Sequence, residues 1–171
     1  RGLRTQLTLR GASDALLSDT TFLQTRLQVK FIQKVFTASR IILRGDAGIS
    51  YVPDFQELPA SQRFFAGGDQ SVRGYDYESL GPTDASGVVI GGRHLLVGSA
   101  EYEQHIKGKW SAAVFVDTGN AINGFSDELN TGVGVGIRWR SPIGLIRMDV
   151  ASALDKDGNP LRLHLVIGPD L

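Results

Sequence analysis

The feature that most constrains this chain is an alternation of apolar and polar residues with period two. It recurs in segments of about ten residues separated by turn formers. Leu3, Leu7 and Leu9 alternate with Arg4, Gln6 and Arg10, and Leu23, Leu27, Val29 and Phe31 alternate with Gln24, Arg26, Gln28 and Lys30. The same rhythm returns around Ile41–Ile49, Leu96–Tyr102, Trp110–Asp117, Val133–Arg140, Ile146–Val150 and Leu161–Ile167. Within each segment the charges keep to one parity. Successive side chains on a strand point to opposite faces, so each segment reads as a strand with one apolar and one polar face. No stripe of helical period competes. Connections are read as short at Gly11-Ala12-Ser13-Asp14, Lys107-Gly108-Lys109, Ser141-Pro142 and Asp155-Lys156-Asp157-Gly158-Asn159-Pro160, which predicts an antiparallel up-and-down meander of about eight strands.

Composition agrees once the alternation is taken into account. The hydrophobic share of 42% and mean hydropathy of −0.06 resemble a soluble protein. A barrel wall gives the same averages, because half of it faces lipid and half faces water. The 171 residues suit one domain. Lys+Arg and Asp+Glu are both 18, which gives no reason to expect a nucleic-acid partner. With no Cys there is neither a disulfide framework nor a thiolate nucleophile.

Two architectures share the pattern: a soluble lipocalin-like binding barrel with its apolar face inside, and a transmembrane β-barrel with that face against lipid. The apolar faces are free of charge over the length of a tilted spanning strand, and the polar faces carry Arg, Glu and Asp. Trp110, Trp139 and Tyr102 lie on the apolar face, where an interfacial girdle would place them. These features favour the membrane.

A stretch of about 51–92 interrupts the meander, far longer than a hairpin needs. Its aromatics and paired glycines predict a folded loop rather than a disordered one. Its centre runs from Arg63 through Gly67, Gly68, Val72, Arg73 and Gly74 to Tyr75. Gly74 permits close backbone approach, so Arg73 can fold inward. The polar faces of the next two strands offer Glu101 and Asp117, which a planar guanidinium can bridge. These three residues form the expected loop-bracing network.

Val72-Arg73-Gly74-Tyr75 resembles the loop signature of the outer-membrane protein assembly and two-partner secretion barrel superfamily. Gly98-Ser99-Ala100-Glu101-Tyr102 and Phe115-Val116-Asp117-Thr118-Gly119 resemble its motifs on the two following strands. The run Gly132–Trp139, with Gly134 and Gly136, and Ser141-Pro142-Ile143-Gly144 resemble its closing strands. Gly67-Gly68-Asp69-Gln70-Ser71 and the closing Ile167–Leu171 resemble most the translocation and assembly module branch. The resemblance implies a bacterial outer-membrane location and strands nine to sixteen of a sixteen-stranded barrel. It also implies that eight further strands and periplasmic domains lie outside this chain. Many such barrels end in an aromatic residue, where this sequence has Leu171.

The function so implied is insertion of client proteins, such as autotransporters, through a lateral gate between first and last strands. The expected partners are outer-membrane lipid, unfolded client proteins and a periplasm-spanning inner-membrane protein. The gate strand would carry Leu161, Leu163, Leu165, Ile167 and Gly168, with Pro169 either ending the ladder pairing or merely terminating the strand. Alternatives within the family are the essential general assembly barrel and a two-partner secretion pore; outside it, a stand-alone eight-stranded anchor. No enzyme, cofactor or metal is expected. Ser71 and Ser99 lack a base partner, and His94, His105 and His164 stand alone as ordinary lumen or rim residues. The Gly132-x-Gly134-x-Gly136 pattern sits inside an alternating strand, which favours a kink or close approach over a phosphate loop.

Overall fold

The computed structural model describes residues 1–14, 20–142 and 144–168. Ile143, Pro169, Asp170 and Leu171, all drawn into the sequence reading, lie outside the described residues. Eight strands form one sheet in chain order: β1 (Gly2–Ala12), β2 (Phe22–Phe36), β3 (Ser39–Tyr51), β4 (His94–Lys107), β5 (Trp110–Ile122), β6 (Asn130–Ser141), β7 (Gly144–Ala153) and β8 (Leu161–Gly168). Every neighbouring pair is antiparallel, and β1 and β8 are the two edges.

β2 reaches 15 residues and β4 reaches 14, beyond the ten expected, because pairing continues past the apolar stretch into polar strand ends. Among the described residues β8 spans 8. Short connections (37–38, 108–109, 142–143) fall at one end of the sheet and long ones (13–21, 52–93, 123–129, 154–160) at the other. The tight β4–β5 connection uses Gly108 at φ +59°, a conformation that β-hairpin turns require and side chains disfavour.

The two faces decide between water and lipid. Leu3, Leu9 and Leu163 are 67%, 66% and 72% exposed, while Asp117 and Arg138 on the other face are 0% and 1% exposed. A leucine left in water forgoes roughly 1.5–3 kcal/mol of burial, and this face repeats that loss along all eight strands. Lipid is therefore its solvent, and the charged face turns inward; the soluble lipocalin-like arrangement is excluded. Trp110 and Trp139 oppose each other in register near the short-turn end and stack at 5.6 Å on the outer face.

The segment 52–93 is folded against the inner face. Two 3-10 turns (Phe55–Glu57 and Ala60–Gln62) are followed by bridges Phe64↔Gly92, Ala66↔Leu80 and Thr83↔Val89. Its apolar side chains Phe64, Val72, Tyr75 and Leu80 join Leu95, Val97, Ala121 and Ala153 of the wall in one buried cluster. A smaller cluster of Val52, Phe55 and Leu58 closes its base. Arg63 ties the loop to itself by donating to the carbonyls of Leu58 (2.8 Å) and Ile90 (3.2 Å).

Candidate functional site

Five consecutive strands each place one side chain on the inner face to hold Arg73-Gly74. Asp117 of β5 accepts from Arg73 Nε (2.7 Å), Nη2 (2.9 Å) and the Arg73 backbone N–H (3.1 Å). Arg73 Nη1 also donates to Glu101 of β4 (2.8 Å) and Asp149 of β7 (2.9 Å). Arg138 of β6 binds the other oxygens of those carboxylates, reaching Glu101 Oε1 at 2.9 Å and contacting Asp149. His164 of β8 accepts the Gly74 N–H at Nε2 (3.0 Å), and its Nδ1 contacts Asp69. Arg44 of β3 stands 3.5 Å from Asp117 and donates to Ser99 and to the Gln70 carbonyl, both at 3.1 Å.

Arg44, Arg73 and Arg138 face Glu101, Asp117 and Asp149, and Arg147 adds a further cation beside Arg44. Such pairing is needed where water is excluded, because removing one partner of a buried pair costs about 3–5 kcal/mol. Burial by itself would lower the affinity of the Arg73 guanidinium for its proton. Asp117 and Glu101 outweigh that and hold it above its ordinary range.

The wall beneath is shaped by absence of side chains. The Arg73 guanidinium lies 3.3 Å from the centre of the Phe115 ring. A Cβ on Gly134 would come within 2.4 Å of that ring, one on Gly136 within 1.8 Å of Asp149 Oδ1, and one on Gly132 within 1.9 Å of the Arg73 carbonyl. The alternate glycines of β6 thus form a slot into which the loop backbone, a ring and an ion pair fit, the close-approach reading of that pattern.

Other signature residues build the loop that enters this slot. Gly67 and Gly68 have φ of +100° and +98°, and a Cβ on Gly67 would meet the Asp76 carbonyl at 2.4 Å. The Ser71 hydroxyl accepts the Gly67 N–H, so its role is in the turn. Val72 is fully buried, and Tyr75 donates its hydroxyl to Asp155 (3.1 Å). Gly119 stands apart from the ion network; it lets β5 approach Val97 of β4, whose Cα would lie 2.8 Å from an added Cβ. Leu161, Leu163, Leu165 and Ile167 of the expected gate strand point outward, and Gly168 pairs with Leu145.

Sequence reasoning brought together Arg73, Glu101 and Asp117 but gave no role to Arg44, Arg138 or Asp149. It also read His164 as an isolated residue, whereas it is buried against the signature. The signal for Arg138 and Asp149 was their parity, since both fall on the polar face; which of many polar residues meet required the register. Among the described residues no cluster of His, Asp and Glu has the composition of a metal site.

An all-β sheet lipid-facing outside, with a folded loop clamped by ion pairs inside, defines an outer-membrane barrel of the kind that carries an internal loop. Residues 1–170 match the Omp85 superfamily domain, and the chain belongs to that superfamily, a family of the Gram-negative outer membrane. It is 35% identical over 108 residues to the outer membrane protein assembly factor BamA of Nitratidesulfovibrio vulgaris, covering 58% of this chain and 14% of that protein. To BamA of Neorickettsia risticii it is 29% identical over 151 residues, covering 80% of this chain and 20% of the relative. The fold matches the crystal structure of Haemophilus ducreyi BamA lacking POTRA domains 1–3, with a TM-score of 0.77 at 20% identity. That match covers 97% of this chain and 37% of the other. The chain therefore spans a minor part of the length of these relatives.

Proposed function

We propose that this chain is one half of a larger barrel domain that inserts client proteins into the outer membrane through a lateral opening beside β8. The observation that carries the reading is the state of β8. Among the described residues it pairs only with β7, and its other edge, like that of β1, presents N–H and C=O groups that lipid cannot satisfy. A client strand pairing there would satisfy them. The other edge, β1, is expected to continue into further strands of the same domain, with the loop 52–93 lying in the lumen as a brace. In barrels of this kind short turns face the periplasm and long loops the exterior, which puts the Arg73 signature on the outer side.

The run Gly67–Ser71 supports a finer reading: the TamA-like branch, with autotransporters as clients and a periplasm-spanning inner-membrane partner. The relatives named above favour general assembly, and two assays separate the readings. Cysteines on β8 and on the barrel strand expected to meet it are crosslinked in the full-length protein, and client insertion is followed. Blocked insertion supports the opening, and undiminished insertion in the locked barrel refutes it. Depletion that lowers autotransporter display alone supports the TamA-like branch, and loss of all outer-membrane proteins refutes it.

A further inference from the structure

We propose that His164 is a latch that joins the signature loop to the edge strand β8, so that seating of the loop and pairing of β8 form one coupled equilibrium. The inference rests on the proposed role of β8 as the edge of an opening, and deepens it by naming what holds that edge from within.

The geometry is specific. Gly74 donates its N–H to His164 Nε2 at 3.0 Å, so Nε2 carries the lone pair and the ring proton belongs on Nδ1, which faces Asp69. Both ring nitrogens are thus spent on the loop. The side chain of His164 is only 3% exposed, although it borders the polar cavity that β1 and β2 also line. A buried N–H that loses its acceptor bears the desolvation cost of that group, which favours the closed contact. A second contact, Arg162 to Asp76 at 2.5 Å, is about half exposed at both ends and therefore weak.

Position in the chain supplies the coupling. Gly74 follows Arg73 directly, and its φ of +96° brings its backbone against that of Ser152, where a Cβ would meet the carbonyl carbon at 2.8 Å. It cannot shift without moving Arg73. On the other side, His164 is the register partner of Asp149, which binds Arg73 and Arg138. A movement of β8 along or away from β7 pulls His164 off Gly74. An unseated Arg73 removes Gly74 from His164 and leaves β8 with one ladder of eight residue pairs. The free-energy coupling is reciprocal: a strand that captures the outer edge of β8 and draws it outward also loosens the loop.

Hydrogen exchange of the full-length protein in lipid nanodiscs, without client, tests the latch. His164→Ala is expected to speed exchange of the 161–168 amides roughly tenfold, as one buried hydrogen bond warrants, with β4–β6 changed by less than about twofold. His164→Gln, whose carbonyl can accept the Gly74 N–H, is expected to return β8 close to wild type. Asp69→Ala leaves every strand residue in place and guards against misfolding of the strand variant. It should speed β8 by a smaller factor. Unchanged β8 exchange in both alanine variants, an equal rise in every strand, or failure of Gln to restore protection overturns the latch. Client insertion measured in parallel separates the two readings. Loosened β8 with normal insertion keeps the latch and removes β8 as the site of insertion, and impaired insertion with unaltered exchange overturns the latch and leaves the assembly reading standing.

Discussion

Of the two edges of the sheet, β8 is tied to the folded loop through His164 and Arg162, whereas β1 faces it across open space. The inner side chains Gln6, Thr8 and Arg10 of β1 line a polar cavity of about 780 Å³ with Gln24 and Arg26 of β2 on the same side. Among the described residues no hydrogen bond or ion pair links β1 to the loop. Ion pairs differ in the same way. Arg26–Asp46, near β1, has side chains 42% and 18% exposed; Arg73–Asp117, under the loop, 4% and 0%. Water can replace the first pair and not the second. The Arg73 signature is thus held by β4 to β8 and the β1 side is left hydrated, while Gln24 of β2 holds the base of the loop by donating to the Gln62 carbonyl at 2.7 Å.

The comparison breaks most readily at Arg73. Arg73→Ala leaves Glu101, Asp117 and Asp149 with too few cations, and we expect the loop seat to lose about 3–5 kcal/mol. Trypsin cleavage at Arg63 and Arg93 in folded, membrane-embedded protein should rise sharply and client insertion should fall. Wild-type proteolysis would show that the seat does not depend on the cation.

Overfilling the slot should cost less. Gly134→Ala forces the Phe115 ring from beneath Arg73 and is expected to destabilise by about 1–3 kcal/mol, read as a lower temperature for loss of heat-modifiable migration. Gly45→Ala on β3 is the matched control, because its added Cβ meets nothing within 4 Å. Equal effects at both glycines would remove the slot from the account.

On the hydrated side, Arg26→Ala should change stability by at most about 1 kcal/mol, the range for pairs open to water. A loss as large as that of Arg73→Ala would erase the distinction between the two sides. The smallest effect belongs to the loop tip. Ser86 and the Val88 N–H hold the exposed Asp84 carboxyl below its ordinary range. A depressed folded value means that its contribution is present above the unfolded pKa and fades as pH falls through the folded one. Acid should therefore lower the protection factors of the 84–88 amides before those of any strand, and Asp84→Asn should abolish that loss of protection.

The sheet was legible in the sequence because period-two alternation is a one-dimensional property: each strand carries its own record of which side is wet. Arg73, Glu101 and Asp117 were legible because a loop arginine and two polar-face acids stand inside recognisable motifs. Arg138, Asp149 and His164 were not, for a reason of geometry. Whether Gly136 opposes Asp149, or Asp149 opposes His164, depends on register across two hairpins, and alternation leaves register free to slide by two residues. The soluble alternative remained open for the same reason, since alternation alone does not say which face turns inward.

The reach of the Arg73 contacts bears on the order in which such a barrel can be built. Arg73 meets Glu101, Asp117 and Asp149 at separations of 28, 44 and 76 residues, and Gly74 meets His164 at 90. All of these partners come later in the chain, so synthesis and strand pairing must finish around a loop that already exists. Contacts this distant form late and slowly, because the ends of a long chain segment must first be brought together. Until β7 arrives, Arg73 and Arg138 lack their shared carboxylate, and until β8 arrives Gly74 lacks its acceptor. Docking of the loop therefore registers, from within, that β7 and β8 have been laid down.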